Sequence, residues 1–544
     1  MNFPPKKINR PSRSEGKAES ALGTARGTGG TKKHKVRFLS RARFFVTTLI
    51  VLQMVFLAVL LTGSYLHFRY AGWVLHIISV IVSLQIFNKT SKPGFKLTWI
   101  FLILLFPLFG GIFYVVFYLQ SNPRKYRLLI AEYQKKCKFF FNLPANKLSL
   151  LEDERCYRIS RYLQNFVGFP VYTNTQTEYF SSGEAYFKQL IPELEKAEQY
   201  IFLESFIIED GMMFDAIFEV LARKAAAGLD VRVMYDDLGC FATLPDDFAK
   251  TLEYAGIKCI VFNPFKPVLS SLQNNRDHRK IISIDGKTAF TGGVNIGDEY
   301  INAYEKYGHW KDSAIMIKGD AAWSLTMIFL RLWNLESHLR KRWQEDDYAS
   351  FFPWKAASCP VESDGFVQPY ADSPIVKEYT CEKVYLEIIN SAKKYIYINT
   401  PYLIPDEVLL SALVLAAKSG SDVRIITPHR PDKPLVQMVA RSYYRRLIRG
   451  GIKIYEYSAG FNHSKTFVSD DIMATVGTAN LDFRSLCLDY ECAVFIYKNN
   501  AIQKIKDDFL STLDVCKLMT LKDCARNTFF RLIQDIVRLF APLM

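Results

Sequence analysis

The sequence is poor in the side chains that build metal centres and disulfide frameworks. It has 10 cysteines and 8 histidines among 544 residues. No two cysteines form a C-x-x-C pair and their positions show no framework spacing, so a small disulfide scaffold is excluded and reduced thiols are expected. Six histidines are scattered without the spacing of metal ligands, so we expect no metal and no cofactor. These are His34, His67, His76, His309, His338 and His429.

Acidic side chains are scarce at the amino terminus. Residues 1–43 contain 12 basic and 2 acidic side chains, which account for most of the formal net charge of +15. Because this charge lies beside apolar runs, it favours an anionic membrane surface over nucleic acid, and we expect no nucleic-acid partner. The composition of 1–43 predicts a basic disordered tail, since it cannot bury a core.

Three apolar runs follow the tail, at 44–61, 71–87 and 97–119. The first is long enough to cross roughly 30 Å of hydrocarbon, and the second is at the short limit. The third contains proline and glycine, which transmembrane helices tolerate. Residues 44–120 therefore predict a transmembrane anchor of two or three helices in a multi-pass protein of the cell membrane. A cleaved signal peptide followed by buried core helices is the alternative.

The distribution of basic residues bears on orientation. Lysines stand between the second and third runs, and a second basic cluster occupies 124–138. Both clusters and the tail lie on the cytoplasmic side only if one of the three runs does not fully cross. Reduced thiols are typical of cytoplasmic proteins, so the cysteines also favour the cytoplasmic side. We expect the rest of the chain on the cytoplasmic face; three full crossings would place it on the opposite face.

From about residue 150, short β-rich runs alternate with amphipathic helices, which is typical of an α/β fold. The pattern occurs twice: YIFLESFII at 200–208 matches YIYINTPYLI at 395–404, and GLDVRVMYDD at 228–237 matches GSDVRIITPH at 420–429. Such a repeat suggests a site shared by two similar domains. The predicted units are a first domain at 150–342, an inter-domain loop at 343–375, a second domain at 376–525 and a carboxyl-terminal amphipathic helix at 526–544.

Each copy contains the same motif, H-x-K-x4-D-x6-G-x2-N, at the matching place. A single H-x-K-x4-D is weak evidence, but two copies with the same glycine and asparagine offsets are not accidental. The first copy is His278, Lys280, Asp285, Gly292 and Asn295, and the second is His463, Lys465, Asp470, Gly477 and Asn480.

The spacing of the motif has a chemical meaning. Alternation along a strand puts the histidine and the lysine of H-x-K on one face, so both reach one ligand. A histidine acts as a nucleophile or as an acid and base near neutral pH, while lysine and asparagine hold phosphate oxygens. Two facing copies supply one histidine to attack phosphorus and a second to protonate the leaving group, without a metal.

The duplicated motif resembles that of the phospholipase D superfamily, and its surroundings look like those of the bacterial cardiolipin synthases within it. Further matching segments are GGVNIGDEY at 292–300, GTANLDFRSL at 477–486, the apolar stretch 91–117 and VQPYADSP at 367–374. The resemblance extends from about residue 71 to the end. The departures are the additional run at 44–61 and Asp471 where the first copy has Gly286.

This resemblance implies two similar phospholipase D-like α/β domains with pseudo-two-fold symmetry, behind the membrane anchor. It implies phosphatidylglycerol as substrate, with phosphatidyl transfer through a covalent histidine intermediate that gives cardiolipin and glycerol. By analogy His278 is the nucleophile and His463 the acid and base. Lys280, Lys465, Asn295 and Asn480 would hold the phosphate, and Asp312 and Glu491 would orient the histidine rings. For that orienting role Asp285 and Asp470 are rivals, and both are predicted as catalytic together with the histidines and lysines of the motif; the alternative is that they only set the geometry of a turn.

Other activities share the motif. Another phosphatidyltransferase such as a phosphatidylserine synthase, or a phospholipase D hydrolase, would differ only in the acceptor that its pocket admits. A nuclease has no need of apolar anchor segments. A catalytically inactive lipid-binding protein has no use for two intact histidine and lysine pairs. The oligomeric state is not indicated by the sequence.

Overall fold

A computed structural model of the chain describes residues 66–89, 91–106, 110–111, 114, 123–142, 147–265, 271–353, 361–363, 365–524 and 527–543. The predicted tail at 1–43 and the first apolar run at 44–61 lie outside the described residues, as does much of 107–119. Everything predicted for the histidine motifs lies within them.

Two apolar helices begin the described chain. They are α1 (Leu66–Phe87) and α2 (Pro93–Leu105), and they pack together around Ile86, Trp99 and Ile103. The second apolar run and the start of the third are therefore helical. Among the described residues no helix has both the length and the hydropathy of a membrane span.

Helix α2 is attached to the carboxyl-terminal half of the chain. Lys92, just before it, forms ion pairs with Glu382 and with Asp406, the second at 2.9 Å. The Thr98 hydroxyl donates to the carbonyl of Leu539 at 2.7 Å. The apolar helix pair therefore has a fixed place against the second half.

Helix α3 (Pro123–Phe141) leads into the body of the protein, where α4 (Glu154–Tyr162) begins at an Asp153 cap whose carboxylate accepts from the backbone of Arg155. Helix α4 continues into a π turn, Leu163–Val167, which ends at Gly168 with a left-handed φ of 96°. A β-carbon is disfavoured at that φ, so glycine ends the turn.

The first half forms a seven-stranded mixed sheet with the order β1-β9-β7-β6-β2-β3-β4. The central pair β2 and β3 is parallel, and β6, β7 and β9 run antiparallel to their neighbours. The strands of this half are β1 (Thr175–Phe180), β2 (Tyr200–Ser205), β3 (Asp230–Asp236), β4 (Lys258–Phe262), β5 (Arg276–Asp277), β6 (Ile281–Ile284), β7 (Thr288–Gly292), β8 (His309–Lys311) and β9 (Ala314–Gly319).

The second half repeats this order as β10-β17-β16-β15-β11-β12-β13, with β18 added at the edge. Each pairing direction is also repeated, with β11 and β12 parallel and β15 antiparallel to β11. The predicted α/β repeat is confirmed. The strands are β10 (Phe366–Asp372), β11 (Tyr395–Asn399), β12 (Asp422–Pro428), β13 (Lys453–Tyr457), β14 (Gly460–Asn462), β15 (Thr466–Ser469), β16 (Met473–Gly477), β17 (Asp489–Tyr497) and β18 (Cys516–Leu518).

Helices cover both sheets. The most buried of them, α8, contacts the first sheet and β10, and it buries Trp323 and Trp333 completely or nearly so. The helices are α5 (Gly183–Glu195), α6 (Met212–Ala226), α7 (Phe248–Tyr254), α8 (Ala322–Arg340), α9 (Thr380–Ser391), α10 (Glu407–Lys418), α11 (Pro434–Arg449), α12 (Phe483–Cys487), α13 (Ala501–Leu513) and α14 (Thr528–Arg538).

The sequence predicts an inter-domain loop over all of 343–375, and this prediction is wrong for the last part of that segment. Residues Phe366–Asp372 form β10, which pairs with β17 from Phe366 opposite Tyr497 to Asp372 opposite Glu491. Six of its seven side chains are buried, because helices lie against this sheet edge. A strand buried in this way does not show the alternation that identifies a half-exposed strand.

The motif glycines are explained by packing. A β-carbon on Gly292 would lie 2.5 Å from the Ala314 Cα, and one on Gly477 would lie 2.3 Å from the Ala493 Cβ. Strands β7 and β9, and likewise β16 and β17, approach closely at these points. Any side chain would force the strands apart, so the glycines set the geometry of the site without touching its chemistry.

Candidate active site

Each motif histidine follows a short strand that pairs with the opposite half. Strand β5 pairs with β17, and β14 pairs with β8. These pairings continue at the histidines: the His278 amide donates to the Tyr490 carbonyl at 3.0 Å, and the His463 amide donates to the Lys311 carbonyl at 2.7 Å. Both histidine backbones are therefore held at the junction of the halves.

The histidine rings are held by carboxylates that are exchanged between the halves. His278 Nδ1 lies 2.9 Å from Glu491 of the second half, and His463 Nδ1 lies 2.7 Å from Asp312 of the first half. A carboxylate accepts a hydrogen bond from Nδ1–H and so selects the tautomer with a lone pair on Nε2. No residue in the described ranges hydrogen bonds to either Nε2 atom, which leaves both available for a substrate.

The two carboxylates have different environments. Burial by itself would raise the pKa of Asp312, but the attraction of His463 and its hydrogen bond outweigh burial, and the pKa is lowered. Burial raises the pKa of Glu491 to about 7, against the attraction of Lys280 and a hydrogen bond from Thr478. Asp312 is therefore a fixed negative charge, while Glu491 exchanges its proton near neutral pH.

The residue that packs against each of these carboxylates also differs between the two halves. Gly293 leaves the space that Asp312 fills, since a β-carbon there would lie 2.0 Å from Asp312 Oδ1. The equivalent residue in the second half is Thr478, whose hydroxyl donates to Glu491. The first half therefore provides space for its carboxylate, and the second half provides a hydrogen bond.

The motif lysines reach the same site. The ammonium of Lys280 donates to the His278 carbonyl at 2.5 Å, and that of Lys465 donates to the His463 carbonyl. Burial lowers the pKa of Lys280 to about 8 and that of Lys465 to about 7. Two buried ammonium groups in one site provide a strong attraction for a phosphodiester.

The lysines also act on the histidines. Burial, followed by repulsion from Lys280 and Lys465, lowers the pKa of His278 well below its usual range. Burial and then Lys465 lower the pKa of His463 to about 4. A bound phosphate would offset the positive charge and raise both pKa values, so the site favours protonation of a histidine only when substrate is present.

Aromatic rings surround the histidines. The ring centroid of Phe206 lies 5.0 Å from that of His278, and those of Trp310 and Tyr300 lie 5.3 Å and 5.8 Å from that of His463. These rings and Thr478 were not identified from the sequence. Trp310 stands two residues before Asp312 and Tyr300 ends the segment GGVNIGDEY, so only their nearness to the motif could have drawn attention to them.

The two motif asparagines are placed differently. Asn295 is already engaged, because its amide donates to the Tyr300 hydroxyl at 2.9 Å and its carbonyl accepts from the Ile207 backbone at 3.1 Å. Asn480 is buried, and its side-chain oxygen has no hydrogen-bond partner among the residues that the structure describes. Of the pair, Asn480 has an acceptor left for a ligand that carries a hydroxyl, and only its side-chain N–H groups could donate to a phosphate oxygen.

The motif aspartates are not part of this cluster. Asp285 accepts three backbone hydrogen bonds of 2.8 Å, from Glu198, Gln199 and Tyr200 at the start of β2. Asp470 does the same at the start of β11 and also pairs with Arg155 at 2.9 Å. Each lies seven residues from its histidine, roughly 20 Å along an extended chain.

The prediction that groups these two aspartates with the catalytic side chains is therefore corrected. Their carboxylates satisfy the amides that begin a central strand, and both have a left-handed φ, 52° for Asp285 and 56° for Asp470. Aspartate tolerates this turn conformation better than most residues. Their recurrence in the motif reflects the fold that presents the histidine, since they cannot orient its ring.

Comparison with known proteins agrees with this geometry. The family model described as "Cardiolipin synthase, PLD-like domain" matches residues 190–333 and 385–513, half of the chain. The chain belongs to the cardiolipin synthase family of the phospholipase D superfamily. A second family model, "Phospholipase D-nuclease N-terminal", matches residues 74–117, which include most of α1 and all of α2.

Members of the family match over nearly their whole length. The cardiolipin synthase of Halalkalibacterium halodurans is 34% identical over 90% of this chain and 99% of its own. That of Geobacillus kaustophilus is 35% identical over 86% of this chain and 92% of its own. Among solved structures, the phosphatidylserine synthase of Haemophilus influenzae matches 71% of this chain and 98% of its own, with a TM-score of 0.54 and 16% identity, and so shares the fold.

Proposed function

We propose that this protein is a cardiolipin synthase that transfers a phosphatidyl group from one phosphatidylglycerol to another, giving cardiolipin and glycerol. The observation that carries the proposal is the pair of exchanged contacts, His278 with Glu491 and His463 with Asp312. They leave the two Nε2 atoms without a partner in the described ranges, and the ammonium group of each motif lysine lies on the backbone of its histidine. This is the set of groups that double displacement at a phosphodiester requires.

In the first step, Nε2 of His278 attacks the phosphorus of phosphatidylglycerol. A phosphorus–nitrogen bond forms and the bond from phosphorus to the glycerol oxygen breaks. The departing oxygen takes a proton from Nε2 of His463, and glycerol leaves. Lys280 and Lys465 offset the charge on the non-bridging oxygens, and Asn480 donates a further hydrogen bond.

In the second step His463 acts as a base, whereas it acted as an acid in the first. Its neutral Nε2 takes the proton from a hydroxyl of a second phosphatidylglycerol, and that oxygen attacks phosphorus as the phosphorus–nitrogen bond breaks. His278 is regenerated and cardiolipin is released. The step needs no metal, since the proton is held by a histidine and the negative charge by the lysines.

The difference between the carboxylates supports His278 as the nucleophile. The general acid must hold an added proton, and the fixed negative charge of Asp312 stabilises a positive ring at His463. The nucleophile acquires positive charge when phosphorus binds. Because the pKa of Glu491 is about 7, that carboxylate can take the Nδ1 proton of His278 and neutralise the intermediate.

The apolar helix pair supports action on lipids at a membrane. Side chains of α1 and α2, including Trp73, Ile77 and Leu97, are exposed on the described surface. The ring of Phe95 on α2 contacts that of Phe483, three residues after Asn480, with centroids 6.1 Å apart. We propose that these helices embed the protein in the membrane as an integral protein and hold the site near the lipid headgroups.

We also propose that the two sheets lie on the cytoplasmic side. Every cysteine that the structure describes is a free thiol, and most are buried, which suits a reducing compartment. Protease digestion of sealed inside-out and right-side-out membrane vesicles tests this. Cleavage within 147–524 is expected only in inside-out vesicles, and cleavage only in right-side-out vesicles would contradict it.

The activity is tested with purified full-length protein and phosphatidylglycerol labelled in its terminal glycerol. Free labelled glycerol and cardiolipin in equal amounts are expected, in the presence of a chelator as well. The His278→Ala and His463→Ala variants are the controls. Phosphatidic acid as the main product would identify a hydrolase, and a reaction abolished by the chelator would contradict the mechanism.

A further inference from the structure

A second charged cavity lies apart from the histidines, between α3, the π turn after α4, and the segment that follows β10. Its volume is about 290 Å³. Lysines and a glutamine of α3 line one side, the π turn lines the second, and Arg331 of α8 lines the floor. Single-turn π segments occur often at functional sites, because they displace side chains from their usual helical positions.

Arg331 is the central feature of this cavity. Its guanidinium carbon lies 5.8 Å from the ring centroids of both Phe141 and Phe169. It forms no ion pair with any residue in the described ranges, and burial lowers its pKa. A guanidinium that contacts two rings and lines a cavity can bind a planar or tetrahedral anion there through paired hydrogen bonds.

Two more cations line the same cavity. Lys135 and Lys138 stand on one face of α3, and neither forms an ion pair with the described part of the chain. Two carboxylates also line it. Glu378 accepts from the Tyr162 hydroxyl at 3.0 Å and pairs with Lys383, while Asp372 accepts backbone hydrogen bonds of 2.8 Å and 3.0 Å from Ser373 and Cys381. Both carboxylates have hydrogen-bond partners of their own, and neither forms an ion pair with Arg331, Lys135 or Lys138 in the described part of the chain.

The mouth of the cavity is apolar. Phe166 of the π turn is 80% exposed, and Val376 across the opening is 42% exposed. Phe139, next to Lys138 on α3 but not part of the lining, is 70% exposed. Gly168 adds to the opening, because no atom lies within 4 Å of the place of a β-carbon. Exposed rings beside a cluster of cations are typical of surfaces that contact anionic lipid.

We propose that this cavity binds the phosphate of an anionic lipid headgroup, with Arg331 as its main ligand and Lys135 and Lys138 as supports. The apolar mouth meets the first carbons of the acyl chains. The site is separate from the histidines and does not depend on the proposed reaction. Free inorganic phosphate presents the same anionic oxygens but has no group for the apolar mouth.

The test uses full-length protein in neutral phosphatidylcholine nanodiscs with a trace of a photoreactive phosphatidic acid that carries a diazirine next to its headgroup. After irradiation, the labelled peptides are identified by mass spectrometry. We expect adducts within 134–141 and 165–169. Arg331→Gln should lower this labelling by about 10-fold, and the double variant Lys135→Gln, Lys138→Gln by about 5-fold, the scale of losing charge-assisted hydrogen bonds.

Lys136→Gln is the matched control on the same helix. Lys136 pairs with Glu132 at 2.9 Å and does not line the cavity, so labelling should stay within about 2-fold. His278→Ala should also leave the labelling unchanged, since the site is not catalytic. Arg331→Lys keeps the charge and should retain part of the labelling, and a melting curve of each variant shows that it is folded.

Three results would overturn the proposal. One is unchanged labelling in Arg331→Gln, and another is an equal loss in Lys136→Gln, which would indicate attraction by general surface charge. The third is suppression of labelling by inorganic phosphate as effectively as by unlabelled short-chain phosphatidic acid, which would assign the cavity to free phosphate. A loss confined to the Arg331 and Lys135/Lys138 variants, with weak competition by inorganic phosphate, supports a lipid site.

Discussion

The two halves have the same strand order, yet the layer of side chains next to their histidines differs in charge. In the first half, Arg279 beside His278 pairs with Glu204 on β2 at 2.6 Å and with Asp277 at 3.0 Å. All three charged residues are buried. An ionic layer therefore supports the first histidine.

In the second half the equivalent layer is neutral. Ser464 beside His463 exchanges a hydrogen bond of 2.6 Å with Ser313. Asn462 donates to Asn399 on β11 at 3.0 Å, and Asn399 occupies the place that a glutamate has on β2. Hydroxyl and amide groups here replace the ion pairs of the first half.

The comparison shows that a duplicated backbone does not make its two histidines equivalent. The pKa of Asp312, which holds His463, is lowered by that histidine, whereas burial raises the pKa of Glu491, which holds His278, to about 7. Symmetry of the fold brings the histidines together, and asymmetry of the buried charges gives them different proton chemistry.

Removing either histidine should stop the reaction. His278→Ala and His463→Ala should each lower turnover by at least about 10³-fold, because one supplies the attacking atom and the other the proton. Rapid quenching of the wild-type reaction, followed by mapping of the phosphatidyl peptide, shows which histidine is the nucleophile. A covalent lipid on the peptide with His278 is expected, and its recovery on the peptide with His463 would reverse the assignment.

Removing the charge of either carboxylate should weaken catalysis by about 10²- to 10⁴-fold, as is usual for a group that orients a catalytic histidine. The pH profile separates Asp312→Asn from Glu491→Gln. Since the pKa of Glu491 is about 7, its carboxylate forms as pH rises through 7 and kcat/KM should rise with it. Glu491→Gln should lose this rising limb.

Asp312→Asn should lower kcat/KM at every pH but keep its rise through pH 7. The reason is that the pKa of Asp312 is lowered, so this carboxylate is ionised on both sides of pH 7. Both variants should keep a falling limb at higher pH, where Lys465 and Lys280, with pKa values of about 7 and 8, lose their protons. Loss of the rising limb in Asp312→Asn instead would mean that the two carboxylates have exchanged roles.

Breaking the ionic layer should destabilise the first half. Arg279→Met leaves Glu204 and Asp277 buried without their cation, which costs about 3–5 kcal/mol of unfolding free energy. Ser464→Ala, at the equivalent place in the neutral layer, should cost about 1 kcal/mol. Denaturant unfolding of the solubilised protein measures both.

A triple variant tests whether the layers are interchangeable. Glu204→Asn, Asp277→Asn and Arg279→Ser together give the first half the side chains of the second. Because no charge is then left unpaired, most of the stability lost in Arg279→Met should return. A triple variant that is as unstable as Arg279→Met would show that the ionic layer cannot be replaced by the neutral one.

The smallest effect is expected at Thr478. Its hydroxyl donates to Glu491 and opposes the raised pKa of that carboxyl, so Thr478→Val should raise the pKa further. The rising limb of kcat/KM should move to higher pH by up to about one unit. Thr475→Val is the control, because the Thr475 hydroxyl contacts the Tyr370 hydroxyl at 3.2 Å and not Glu491. The rising limb of kcat/KM should stay at the same pH in this variant.

Part of the fold was predictable because the repeat is visible as sequence similarity. The matched runs at 200–208 and 395–404 include β2 and β11, and those at 228–237 and 420–429 include β3 and β12. Strand β10 was missed, because its pairing with β17 joins residues more than a hundred positions apart. Burial on both faces removed the alternation that marks a strand.

The repeat and the reacting side chains can be recognised from the amino-acid order alone, since two histidine and lysine pairs at matched offsets have few other uses. The motif could not tell Asp285 from Asp312, because nearness along the chain says nothing of which carboxylate reaches a ring. The choice between the two aspartates depends on how the halves pack together. Strands β5 and β14 cross between the halves, so each histidine meets a carboxylate of the other half, and burial sets the pKa of each pair.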